Sequence, residues 1–146
     1  MTYGMFNNKK IAFQSSDDFD IVDINNEGYI VRLANNITGA VISVAVAKNS
    51  GESLEEIKNT TEDNLKRNGL NILSSNVKSK LGKETVAINY IQSHQGVNVS
   101  RESIAFLVKN DLYTFEYVTI EGQSTSKDEE AFRIAIESLN VKESYY

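Results

Sequence analysis

Hydrophobic and polar positions alternate over most of the first fifty residues. KKIAFQS, FDIVDIN, GYIVRLANN and TGAVISVAVAKN each read as a strand, with Asn, Asp and Gly clusters between them. In AVISVAVA the β-branched Val41, Val44 and Val46 sit among small residues, which predicts an inner strand covered over most of its length. At NSGESLEEIKNTTEDNLKRNGLNI the repeat lengthens to that of a helix. Ser53 followed by Glu56 is a capping box, in which each side chain satisfies a backbone N–H at the helix start. Leu54, Ile57, Thr61 and Leu65 share one face. Acids early (Glu52, Glu55, Glu56) and bases late (Lys66, Arg67) suit the helix dipole, and Gly69 supplies the stop. The spacing predicts an amphipathic helix near residues 53–68.

Four more extended runs follow: LNILSSNVKSKL, ETVAINYIQSH, VSRESIAFLVKN and LYTFEYVTIEG. The breaks between them, Leu81-Gly82-Lys83, Gln95-Gly96 and Lys109-Asn110-Asp111, are short enough for hairpins, so neighbouring strands should be antiparallel. Val86, Ile88 and Tyr90 share one face of their strand; Tyr113, Phe115 and Tyr117 share one face of theirs, which predicts an aromatic side to the sheet. A second helix is expected near 127–139, with Ser126 and Glu129 as its capping box and Phe132, Ile136 and Leu139 as its inward stripe. VKESYY, from about residue 141, reads as a polar, frayed tail. Periodicity alone thus gives an α+β chain with a predominantly antiparallel sheet of about six or seven strands and two main helices.

Composition narrows the function classes. The 146 residues suit one domain over residues 1–146, and 40% apolar with 24% charged residues is ordinary for a folded soluble protein. A net charge of -5 without a basic run disfavours nucleic acid. The absence of cysteine removes disulfides, thiolate metal sites and cysteine nucleophiles. No run is long and apolar enough for a signal peptide or a bilayer span. As written the chain is expected to be cytoplasmic; an export segment removed ahead of Met1 would make it extracytoplasmic. Abundant Asn, Lys and Ile suit an AT-rich genome. The three sequons at Asn36, Asn59 and Asn98 are about the number that chance supplies with 16 Asn and 23 Ser plus Thr.

Candidate chemistry is sparse. His94, the one histidine, precedes Gln95-Gly96 where the chain must reverse, and no Ser beside it sits in a Gly-flanked elbow. It reads as a hairpin tip, and no catalytic residue is assigned. SSDDFDIVD carries Asp17, Asp18, Asp20 and Asp23, yet lacks the glycine and terminal Glu of a calcium loop, so these acids read as a possible interaction surface and not a metal site. Neither GxGxxG nor GxxxxGK[ST] occurs, and no cofactor is expected. Tyr90, Tyr113, Tyr117 and Phe132 are either core or the lining of a pocket.

The order of elements resembles the PsbP-like superfamily, named for an extrinsic photosystem II protein and including a Ran-binding nuclear import factor and many uncharacterised prokaryotic domains. IAFQSSDDFDIV, AVISVAVAKNSGESLEEI, LGKETVAINY and VKNDLYTFEYVT followed by AFRIAIESL carry the resemblance, which spans nearly the whole chain. Family members commonly place a Pro and a Trp in the first bend, where this chain has SSDDFDI. The resemblance implies a three-layer α-β-α sandwich that works by binding other proteins, without enzymatic machinery. The expectation is therefore a noncatalytic interaction or accessory module with an unknown protein partner. A carrier of a small apolar ligand, with a pocket between the second helix and the sheet, is the alternative, and an enzyme of unknown class is third.

Overall fold

A computed structural model describes residues 2–26 and 28–146. Its elements run β1 (Tyr3–Asn7), β2 (Ile11–Ser16), β3 (Asp20–Asn26), β4 (Tyr29–Ala34), β5 (Val41–Lys48), α1 (Leu54–Arg67), β6 (Asn71–Lys80), β7 (Lys83–His94), β8 (Val97–Val108), β9 (Asp111–Ile120), α2 (Ser126–Glu137) and β10 (Asn140–Val141). Seven strands form an antiparallel sheet in the order β3-β4-β5-β9-β8-β7-β6, and β1-β2-β10 form a smaller one. α1 lies on one face of the large sheet, over β6 and β7; α2 packs on the other, against β9 and the small sheet. No helix among the described residues is long and apolar enough to cross a membrane.

Short turns set the register. Lys80 pairs with Lys83, His94 with Val97 and Val108 with Asp111, so each connection spans two residues. Tyr113, Phe115 and Tyr117 then face the same way as Val46, Val44 and Ile42 on β5, and as Phe106 and Ile104 on β8. Phe115 is the hub of this side: Phe106 stacks 5.9 Å from it and Phe13 of the small sheet meets it edge-on at 5.9 Å. On the opposite face Ile57 of α1 packs with Val86, Ile88, Tyr90 and Ala105.

α1 begins as its sequence dictates. The Glu56 N–H donates to Ser53 Oγ at 3.1 Å and the Ser53 N–H donates to Glu56 Oε1 at 3.1 Å. It ends with Gly69 at φ 74, a left-handed conformation that glycine adopts without a Cβ penalty. From there Gly69 N donates to Lys66 O and Leu70 N reaches back to Leu65 O, each at 3.0 Å.

Three expectations need correction. α2 is capped by Thr125, whose hydroxyl accepts from Asp128 N at 3.1 Å, not by Ser126. Both positions carry the same local signature, and Thr125 prevails because its Asp128 is also held elsewhere, as described below. Residues 3–7, read as no element, form β1, whose Phe6 is buried and stacks 5.1 Å from Phe13. The tail from 141 is not frayed: Asn140 and Val141 pair with Ala12 and Ile11, Tyr145 N donates to Asp111 Oδ2 at 2.7 Å, and Lys10 Nζ donates to Tyr145 O at 2.6 Å. Asp111 is buried, and a buried carboxylate must find donors, which the tail supplies.

Candidate protein-interaction site

The acidic bend is built by a tight turn after β2. Ser16 is buried; its hydroxyl accepts from Asp18 N at 3.2 Å and its carbonyl from Phe19 N at 3.1 Å. Phe19 is thereby driven into the core, and Asp17, Asp18 and Asp20 are left exposed. No ion pair engages these three carboxylates among the described residues. Asp17 accepts from the Thr2 hydroxyl, and Asp20 Oδ2 accepts from Asn36 Nδ2 at 3.0 Å.

Facing the bend across an open depression of about 590 Å³ lie the 35–38 loop and the start of α2. Asp128, buried, holds these two walls together: Asn35 Nδ2 donates to Oδ1 at 3.0 Å and the Thr38 hydroxyl to Oδ2 at 2.7 Å. Asn35 Oδ1 in turn accepts from Ile37 N at 3.0 Å and Thr38 N at 3.3 Å. This network fixes a loop whose tip, Ile37, is 96% exposed. Lys127 also lines the depression. An apolar knob thus stands among carboxylates that no ion pair engages among the described residues.

Asp23 does not join it. On β3 it lies opposite Arg32 and pairs with that guanidinium at 3.8 Å; Arg32 also lies 3.9 Å from the centre of the Tyr29 ring. The structure therefore groups Asp17, Asp18 and Asp20, and separates Asp23 from them.

The sheet likewise divides the four aromatic candidates. Tyr113, Tyr117 and Phe132 lie on the α2 side, where Tyr117 and Phe132 stack at 5.5 Å and the Tyr117 hydroxyl meets Ser124 at 2.7 Å. Tyr90 belongs to the α1 side and donates to Glu116 Oε2 at 2.7 Å. Phe132 is 3% exposed and Tyr113 fully buried, so rings already in contact fill the place where the carrier reading needs a pocket. Burial, and then the charge of Glu116, raises the Tyr90 hydroxyl well above the usual tyrosine range.

His94 is exposed at the β7–β8 hairpin, beside Gln95 at φ 51. Among the described residues no cluster of three or more His, Asp and Glu side chains is placed to hold a metal ion.

Two features escaped the sequence reading. Ile37 lies in NNITG, whose turn composition signals a loop and whose lone isoleucine has no strand to belong to. The other is an array on the α1 side, where Arg101 Nη1 donates to Glu116 Oε1 at 2.8 Å and Arg101 Nε to Gln92 Oε1 at 3.2 Å. A strand register would have been needed to see it.

No family model matches this sequence, and no curated protein matches it. Solved structures do. Cyanobacterial PsbP (CyanoP) from Synechocystis superposes with a TM-score of 0.70 at 13% identity, over 95% of this chain and 92% of that one. A variant of the protein Mog1 gives a TM-score of 0.65 at 8% identity, over 97% and 96%. LpqN of Mycobacterium tuberculosis, involved in cell envelope biogenesis, gives 0.62 at 10% identity, over 96% and 90%. The chain has the PsbP-like fold.

Proposed function

We propose that this protein is a noncatalytic accessory or interaction module that engages a protein partner through the Asp17–Asp20 bend and the Ile37 loop. The observation that carries the reading is the pairing of an almost fully exposed isoleucine with three carboxylates that no ion pair engages among the described residues. An apolar anchor ringed by charge is the usual make-up of a docking surface, in which the anchor contributes affinity and the ring steers approach. The polar groups of the site support the same reading. Asp128 is consumed in holding the loop, and His94 lies at a hairpin tip. Structures of the same fold include proteins as unlike as a cyanobacterial PsbP and a mycobacterial protein involved in cell envelope biogenesis, so the partner is to be sought from the surface and not from the fold.

The test is capture of partners from the source cell on the wild-type chain, followed by kinetics with the purified partner. Replacing Asp17, Asp18 and Asp20 together by Asn should slow association about tenfold at low salt, with the difference shrinking as ionic strength rises. Ile37→Asp should speed dissociation. Unchanged kinetics in both variants would refute the site.

A further inference from the structure

β3 ends the large sheet, so one edge of it pairs with no strand among the described residues. Its side chains are unusual for such an edge: Ile21 is 52% exposed, Val22 55% and Ile24 54%. Ile21 lies opposite Leu33 and Ile24 opposite Val31, two residues buried on the α2 side, so both isoleucines point toward that side. There β1, the edge of the small sheet, offers Met5, 60% exposed. Between the two edges runs a groove of about 330 Å³, floored by Phe6, Phe19 and Leu33, with Asp17 and Asp20 on its rim. Residues 17–26 carry four aspartates and no basic side chain.

We infer that the partner docks as an extended segment of alternating basic and apolar residues that pairs along β3 as an eighth strand; this rests on the interaction reading above. A strand laid on β3 sends every second side chain into the Met5–Ile21 groove, and its backbone satisfies the open edge. Charge selects the occupant. Two copies of this chain meeting through β3 would bring aspartates together, and like charges across a strand pair are destabilising. The opposite edge, β6, carries Lys78 and Lys80, but its Ile72 and Val77 are already packed under α1. Leu73, 58% exposed, is the one large apolar side chain that β6 leaves free, so this edge cannot supply the alternating apolar residues the groove takes. The register irregularity between Ile21 and Asp23 adds selectivity, since a bulged edge resists indiscriminate pairing.

The probe is a terminally capped peptide of alternating Lys and Val, titrated into the isotope-labelled full chain. Strand addition predicts slower hydrogen exchange at the outward β3 amides and at least about tenfold weaker binding of the same peptide N-methylated on alternate residues. A Glu–Val peptide should not bind, and Ile21→Ser should weaken the Lys–Val peptide without changing the fold. Equal binding of the N-methylated peptide, or none of the Lys–Val peptide at millimolar concentration, would overturn the inference. In either case the docking site of the preceding section still stands or falls on its own Asp17, Asp18 and Asp20 kinetics. Concentration-dependent self-association that Lys78→Glu abolishes would overturn it in favour of a second copy.

Discussion

The two faces of the large sheet are made by the same strands and finished differently. Toward α2, twenty buried apolar residues among those described form one cluster that reaches from Phe6 to Ile136 and includes the Phe13, Phe106 and Phe115 rings. Toward α1, five do, from Ile57 to Ala105, and beside them the sheet carries Glu116, Arg101 and the Tyr90 hydroxyl. One face is a packed interior. The other is half interior and half a polar surface organised by hydrogen bonds, because α1 lies chiefly over β6 and β7. Stability should therefore reside in packing on one side and in hydrogen-bonded charge on the other.

Truncation within each cluster gives the largest effect. Phe115→Ala, at a fully buried site, should cost about 3–5 kcal/mol, and Ile57→Ala, at the margin of the small cluster, about 2 kcal/mol, both read from denaturant midpoints. Equal losses would show that the faces contribute alike. Two of the buried tyrosines come next. Tyr90→Phe removes a hydrogen bond to the Glu116 carboxylate and should cost about 1.5 kcal/mol.

Tyr113→Phe should be close to neutral near pH 7, since the buried Tyr113 hydroxyl has no hydrogen-bond partner among the described residues. It acts at high pH instead. Burial, with Asp111 and Tyr145 adding to it, pushes this hydroxyl from 10.0 up to about 12. A folded-state value above the unfolded one contributes stability that is whole below pH 10 and is lost as pH rises toward 12. The variant should therefore lose less stability than the wild type between pH 10 and 12, by thermal melts across that range. A parallel loss would mean that the hydroxyl is not confined. The smallest effect belongs to neither face: His94→Gln, at the exposed hairpin, should leave stability and partner binding within about 0.5 kcal/mol by melting and titration.

How much of this was readable in advance depended on how local the cause was. α1 was legible because Ser53, Glu56 and Gly69 act within one turn of the helix ends they define. The start of α2 was not, since T-x-x-D from Thr125 and S-x-x-E from Ser126 overlap by one residue and the choice turns on Asp128 meeting Asn35 and Thr38. The grouping of the aromatics failed on a single residue. A three-residue turn at Lys109-Asn110-Asp111 would have set Tyr90 on the side of Tyr113; the two-residue turn puts Tyr90 opposite Arg101 and Arg101 opposite Val118, which reverses the face. The acidic bend was visible as composition. Its partner in the site, Ile37, lies fifteen or more residues away and was brought there by the sheet.

The pairing of Ala12 with Asn140 has a consequence for how the chain is made. Synthesis is vectorial, and domains take shape as their segments emerge. The β6–β9 meander joins neighbours through two-residue turns and can close as soon as residue 120 is available. β2 pairs at once with its neighbour β1, but its second partner lies 128 residues downstream, and the Ile11–Ala12 edge stays open in the meantime. On the ribosome, that open edge is where a chaperone would find this chain, and the arrival of β10 is the event that ends the opportunity.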